Sequence, residues 1–365
     1  MTSTAIIQQM SDTKKEKGNK KKEEDNTKKE HYVPRFYLEK FSNLSPSGKE
    51  YKIWIFNKRS QQIPYSNNIK KTAVDGYFYD FPVDLVGEEN KKIFDEYLQK
   101  TENIIAPFYK KFEKRLSYVL RLDDNQKYKT KVIKKREKKY WSYILAVQVL
   151  RTPEFRNLLK EVKQKATNEN IIQRILEQDS RDHIEQIKTA IPKLSSEFIE
   201  SIQDLLVGAV SEIVNVLYND KLMSIPHYNF FLNHSCKLSK KFAKHKYMIG
   251  VNQSNIPFYT SDHPVARIPY IETGYNSEGI EILFPINSEL ILIIRDKKHP
   301  RNNERDGKLI ILGKEEVTNY NKAQVYCSNQ FIYCKENRFD LAQLLCQENP
   351  DICSEAKDRV KFINE

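Results

Sequence analysis

Glycine is scarce, with 10 in 365 residues. A phosphate-cradling glycine loop therefore has few places to form, and neither a Walker loop nor a Rossmann glycine pattern is present. His-Glu-x-x-His and Gly-x-Ser-x-Gly are also missing, which removes the common zinc-protease and serine-hydrolase signatures. The five cysteines are scattered singly, with no Cys-x-x-Cys pair. Their spacing argues against a structural zinc site, and their odd number argues against a secreted disulfide framework. No apolar run reaches the length of about 18 residues that a membrane span needs. Ala5-Ile6-Ile7 is too short for the apolar part of a signal peptide. A cytoplasmic protein with no membrane association is the resulting expectation.

Positive charge is abundant and uneven. The chain carries 61 Lys+Arg against 49 Asp+Glu, a net +12. Residues 103–165 alone hold 18 basic and 6 acidic residues, an excess equal to that of the whole chain. The densest run contains Lys131, Lys134, Lys135, Arg136, Lys138 and Lys139. Such a run attracts polyanions, nucleic acid above all, or else forms a solvated helix face. Residues 1–30 are nearly balanced, with eight lysines and six acids. They are too poor in apolar residues to offset ordering entropy and read as a disordered tail.

The rest, 31–365, reads as a single α+β domain, a helical middle packed on a mostly antiparallel C-terminal sheet. A short helix follows Pro34, and strands are expected at Tyr51–Phe56 and around Gln61–Tyr65. An aromatic strip, Tyr77–Tyr79, follows the Asp75-Gly76 turn. Residues 91–225 read as helical. Ile93, Tyr97, Ile104 and Phe108 share one face, and Pro107 kinks or divides that helix. A further helix runs from Lys134 to beyond Leu159, and an amphipathic one covers 198–217. From 226 to 335 short apolar runs predict strands, among them Tyr228–Leu232, Tyr247–Val251, Ile256–Tyr259, Ile282–Ile286, Leu290–Ile294, Leu309–Leu312, Val325–Tyr326 and Phe331–Tyr333. A last helix is expected at 338–347.

Two polar features depart from the apolar pattern. On a helical wheel Arg151 and Gln148 fall inside the stripe formed by Tyr140, Ile144, Phe155 and Leu158. A guanidinium cannot be buried alone. Arg151 therefore either faces a pocket for an anionic group or pairs internally, with Glu102 or Asp262 as partner. The second feature is Thr260-Ser-Asp-His-Pro264. His263 suits a general base or metal ligand, and Asp262 suits orienting a histidine, holding a metal or pairing Arg151. The alternative is an aspartate turn whose side chain bonds backbone amides.

His31-Tyr-Val-Pro-Arg-Phe-Tyr-Leu-Glu-Lys-Phe41, Gln148-x-x-Arg151-Thr-Pro-x-Phe-Arg156 and Thr260-Ser-Asp-His-Pro264 together resemble the microbial domain-of-unknown-function family 4238. Phe284-Pro-Ile-Asn-Ser-Glu-Leu290 resembles its later strand. The resemblance covers about residues 31–335 and implies no established reaction; some members sit in mobile or defence-associated gene settings. Its polar positions coincide with those picked out above. They suggest a hydrolase acting on a phosphate-containing substrate, in its concrete form a nuclease and defence effector, with nucleic acid or nucleotide as partner. In that reading His31, Asp262 and His263 are catalytic, and Arg35, Gln148, Arg151 and Arg156 bind substrate. A divalent metal such as Mg2+ fits the same chemistry. The alternatives are a non-catalytic nucleic-acid or anionic-ligand binding protein, and a buried polar network that serves only the fold.

Overall fold

The computed structural model describes residues 29–168, 223–270, 274–275, 277–301 and 306–355. The expectations for a disordered tail over 1–28 and for the amphipathic helix at 198–217 lie outside these residues. Folded chain begins earlier than expected, because Lys29 and Glu30 belong to a strand.

The N-terminal part contains β1 (Lys29–His31), α1 (Arg35–Leu38), β2 (Asn43–Leu44), β3 (Tyr51–Asn57), β4 (Tyr65–Asn68), β5 (Val74–Gly76) and α2 (Val83–Val86). The helical middle has α3 (Ile93–Leu120), α4 (Asp124–Lys129), α5 (Lys135–Leu150) and α6 (Pro153–Asn168). The C-terminal part has α7 (Ser224–Phe242), β6 (Lys246–Asn252), β7 (Thr260–Ser261), β8 (Ala266–Ile268), β9 (Glu281–Pro285) and β10 (Leu290–Arg295). It ends with β11 (Leu309–Leu312), α8 (Lys314–Cys327), β12 (Phe331–Cys334) and α9 (Asp340–Glu348).

The fold is α+β. One sheet has the order β11-β6-β10-β9-β8, antiparallel except where β11 runs parallel to β6. A second has the order β2-β3-β12-β7, with β4 also on β3, and joins the two ends of the chain. A third is the ribbon β1-β5, which pairs His31 with Val74 and Glu30 with Asp75.

Helix α5 lies at the centre. From Trp141 through Leu150 nearly every side chain is buried. A helix that is apolar all round must be enclosed. Trp141 meets Phe112 of α3 and Phe284 of β9, and Ser142 bonds the Tyr247 hydroxyl of β6 at 2.7 Å. Helix α7 packs along it.

Several expected elements differ. The run Tyr228–Leu232 is helical, inside α7, where buried His227, Phe230, Phe231, His234, Ser235 and Leu238 recur at a period near 3.6. Short apolar runs alone do not separate a strand from a buried helix segment, and Val325–Tyr326, the end of α8, repeats the lesson. Ile256–Tyr259 is irregular chain leading into β7, and Tyr77–Tyr79 is a turn. The strand expected at 61–65 starts at Tyr65. Helix α3 passes through Pro107 undivided. Asn103, whose carbonyl loses its helical donor there, is exposed and open to solvent. The buried face of α3 is Phe94, Leu98, Thr101, Ile105, Tyr109, Phe112 and Leu116, and Ile104 is exposed. Helix Lys134–Leu159 is two helices, because Pro153 has no N–H and suits the first position of a new one.

Candidate functional site

The opening motif is mostly an anchor. Tyr32, Val33, Tyr37, Leu38 and Phe41 are buried. The Tyr37 hydroxyl donates to the Pro285 carbonyl at 2.8 Å and lies 2.7 Å from Thr260 Oγ1. It thus ties the N-terminal segment to β9 and β7. The polar residues of the motif stay nearer the surface: His31 is half-buried and Arg35 is exposed.

Arg151 caps the C-terminus of α5, is 2% exposed and points inward as the helical wheel requires. Its Nη2 donates to the His31 carbonyl at 2.6 Å and pairs with Glu102 Oε1 at 2.7 Å. Its own carbonyl accepts the Tyr79 hydroxyl at 2.6 Å. One turn earlier, Gln148 Nε2 donates to the Tyr32 carbonyl at 3.3 Å. Of the two internal partners considered, Glu102 is the one that reaches Arg151.

Asp262 is 1% exposed. Its carboxylate accepts the backbone N–H groups of Asn329, Gln330 and Phe331 at 2.8, 2.6 and 2.8 Å. Burial pushes its pKa up, against the pull of those amides and of the Lys58 cation. Lys58 is fully buried and donates to the carbonyls of Val325 and Ser328. The Asp262 carboxylate does bond backbone amides, but those of a segment 67–69 residues away rather than of its own turn. Next to Asp262, His263 Nδ1 lies 2.8 Å from Thr152 Oγ1. Residues 31–32, 148–152 and 262–263 therefore do converge, through backbone carbonyls and one Thr–His bond. Three amides take three of the about four acceptor sites of the Asp262 carboxylate. Among the described residues no three His, Cys, Asp or Glu side chains converge to hold a metal ion.

His31 stays neutral at physiological pH: burial, helped by the cations of Arg35 and Arg151, lowers its pKa to about 4. Its Nε2 faces the Ile69 carbonyl at 3.4 Å. On a strand successive side chains point to opposite faces, so Glu30 and His31 serve different sides of β1.

The Glu30 side holds groups that sequence reasoning did not pick out. Glu30 is 4% exposed; its Oε2 accepts the Tyr79 N–H, and its Oε1 is buried without a hydrogen-bond partner among the described residues. Beside it both buried oxygens of Asp80 lack a hydrogen bond among the described residues, with Lys91 at 3.7 Å. Burial, then the contact with Asp80, pushes the Glu30 pKa up to about 8. At neutral pH Glu30 therefore keeps its proton and can present it to the Asp80 side chain beside it. Arg156 is near enough to feel the Glu30 charge. Its guanidinium carbon lies 3.5 Å from the centre of the Phe78 ring, and its Nε and Nη2 donate to His227 Nδ1 at 3.2 and 3.0 Å. His227 Nε2 donates to the Leu150 carbonyl, which leaves Nδ1 as acceptor. Burial lowers the Arg156 pKa to about 10. No carboxylate among the described residues lies within ion-pair distance of it.

Glu30 escaped notice because it closes a lysine-rich tail, and His227 because its segment read as the start of a strand. The signal for His227 was present: it begins the 3.6-residue pattern of α7.

The basic run divides. Lys138 is tied inward, to Asp306 at 2.7 Å and the His245 carbonyl at 3.1 Å. Lys131 faces Asp306 at 4.0 Å. Lys134, Lys135, Arg136 and Lys139 are exposed.

The chain belongs to the family described as protein of unknown function DUF4238, whose model matches residues 29–338, starting at the first residue of β1. No curated protein and no solved structure matches it. No helix among the described residues is long and apolar enough to cross a membrane.

Proposed function

We propose that this protein binds a phosphate-containing ligand, a nucleotide or nucleic acid, and that Arg156 receives a phosphate oxygen. The carrying observation is the half-buried guanidinium of Arg156, stacked on Phe78 and bonded only to a neutral histidine among the described residues. A buried cation without a carboxylate is costly until an anion completes it. Arg151, by contrast, is already neutralised by Glu102, and Asp262 by three amides. Their geometry favours a role in holding the fold. Binding of a panel of mononucleotides and short oligonucleotides tests the reading. Arg156→Gln is expected to abolish binding with little change in melting temperature. A wild type that binds none of them, or an Arg156→Gln protein that binds equally well, sinks it.

The second reading is a hydrolase on the same phosphate-containing substrate, a nuclease used in host defence being its concrete form. It is favoured by the buried Glu30 carboxyl near Arg156, whose raised pKa keeps a proton on it at neutral pH. Incubation with DNA, RNA and nucleotides in Mg2+ or Mn2+ is its test. Cleavage that Glu30→Gln removes while binding persists supports it, and absence of any cleavage argues strongly against it.

A further inference from the structure

The positive excess of residues 103–165 has a definite place. Helices α3 and α5 lie against each other: Phe108 stacks on Tyr140 with centroids 5.0 Å apart, and Glu137 pairs with Arg115. The acids of this surface are consumed locally. Glu113 pairs with Lys40, Asp124 with Lys127, Glu137 with Arg115, and Asp123 caps the N-terminus of α4. The exposed cations Lys111, Lys114, Arg121, Lys135, Arg136 and Lys139 have no carboxylate partner among the described residues. Two tyrosines stand among them, Tyr118 at 67% and Tyr140 at 41% exposure. On α3 Tyr118 is flanked one turn away by Lys114 and Arg121, and on α5 Tyr140 is flanked by Arg136.

A plain solvated helix face explains the lysines and leaves the tyrosines unexplained. Phosphates need cations, and unpaired bases need flat apolar faces between them. We infer that the outer surface of α3 and α5 is a track for single-stranded nucleic acid, with bases stacked on Tyr118 and Tyr140 and phosphates on the cations around them. Duplex bases are already stacked on one another, so a duplex gains from the cations and not from the rings. The inference deepens the nucleic-acid reading above and rests on it, but uses a different surface from Arg156.

The test is fluorescence anisotropy with a labelled oligouridylate, an oligothymidylate and a duplex of equal length, over a salt series. One or both single strands are expected to bind more tightly than the duplex. Affinity is expected to fall with salt at a slope of about 0.7 per phosphate contacted, so Lys114→Ala/Lys135→Ala/Lys139→Ala lowers the slope by about 2. Tyr118→Ala, at a fully surface position, weakens single-strand binding about 5- to 100-fold and leaves duplex binding unchanged. Tyr140→Ala does the same, and Tyr140→Phe, which keeps the ring and its stack on Phe108, binds as wild type. Equal affinity for duplex and single strand, tyrosine variants that bind like wild type, or no polymer binding at all overturns the track. Arg156→Gln is measured in parallel. If it keeps polymer binding and wild type ignores mononucleotides, the Arg156 reading fails and the track stands.

Discussion

Arg151 and Glu102 close a salt bridge at 2.7 Å across the interface of α5 and α3, with the guanidinium almost wholly buried and the carboxylate at 26% exposure. The same Nη2 also holds the His31 carbonyl, so one side chain joins three segments far apart in sequence. Removing it strands a carboxylate and a carbonyl together. Arg151→Met is expected to cost about 3–5 kcal/mol in urea unfolding. Glu102→Gln, which leaves the buried guanidinium without a carboxylate, is expected to cost at least as much.

Asp262 is the acceptor for three consecutive amides and the counter-charge for buried Lys58. Asp262→Ala leaves all four without it. The expected loss is at least about 3 kcal/mol, read from chemical denaturation, with Asp262→Asn recovering part of it.

The Glu30 carboxyl has a pKa raised to about 8 in the folded chain, well above that of an unfolded glutamate. Between these values the folded state binds more protons, so stability falls as pH rises. The depressed histidines act oppositely, since His31 and His234 at about 4 make stability rise with pH up to about 6.5. Between pH 6.5 and 7.5 the histidines, His227 and His245 included, still add about 0.4 kcal/mol each in the opposite direction. The Glu30 contribution alone drops by about 2 kcal/mol from pH 6.5 to 8, and it is read as the difference between wild type and Glu30→Gln, in which the histidine contributions cancel. Glu30→Gln is expected to gain that much stability relative to wild type over this window; the same pH dependence in both proteins refutes the raised Glu30 pKa.

His234 on α7 is fully buried, and both its ring nitrogens lack a hydrogen bond among the described residues. An unpaired buried donor costs about 1–3 kcal/mol, and an apolar replacement of similar size avoids it. His234→Leu is therefore expected to stabilise the protein. The gain grows below pH 6.5, where the unfolded histidine takes up a proton that the folded one refuses. Thermal melts at pH 5 and pH 7 measure both effects.

Adjacent lysines of the basic run separate by role. Lys138, held by Asp306 and the His245 carbonyl over the Tyr247 ring, is expected to cost about 1 kcal/mol when changed to Ala. Lys139→Ala, on the exposed face, is expected to stay within about 0.5 kcal/mol of wild type by the same denaturation assay.

Much of the architecture was legible along the chain. Strands β3, β6, β9, β10 and β12 follow β-branched and aromatic runs, and α3 and α5 follow helical spacing. The inward turn of Arg151 followed from its position on the wheel, because a side chain's direction on a helix depends on its own local backbone. Failures came where locality ends. Tyr228–Leu232 is apolar in either structure, and only its packing beside α5 makes it helical. The buried stripe of α3 sits to one side of the expected one because α5, α7 and the sheet choose the contact face. Glu30 looked like tail, and its pairing with β5 and Tyr79 is a contact over 49 residues.

Composition and pattern alone determined an α+β chain with a concentrated positive segment and an arginine that had to be buried. Which carboxylate meets that arginine, which aspartate is spent on amides, and which guanidinium remains open are decided only by the tertiary structure. Charge and periodicity are properties of a segment, whereas the partner of a buried charge is set by whichever distant segment the fold presses against it.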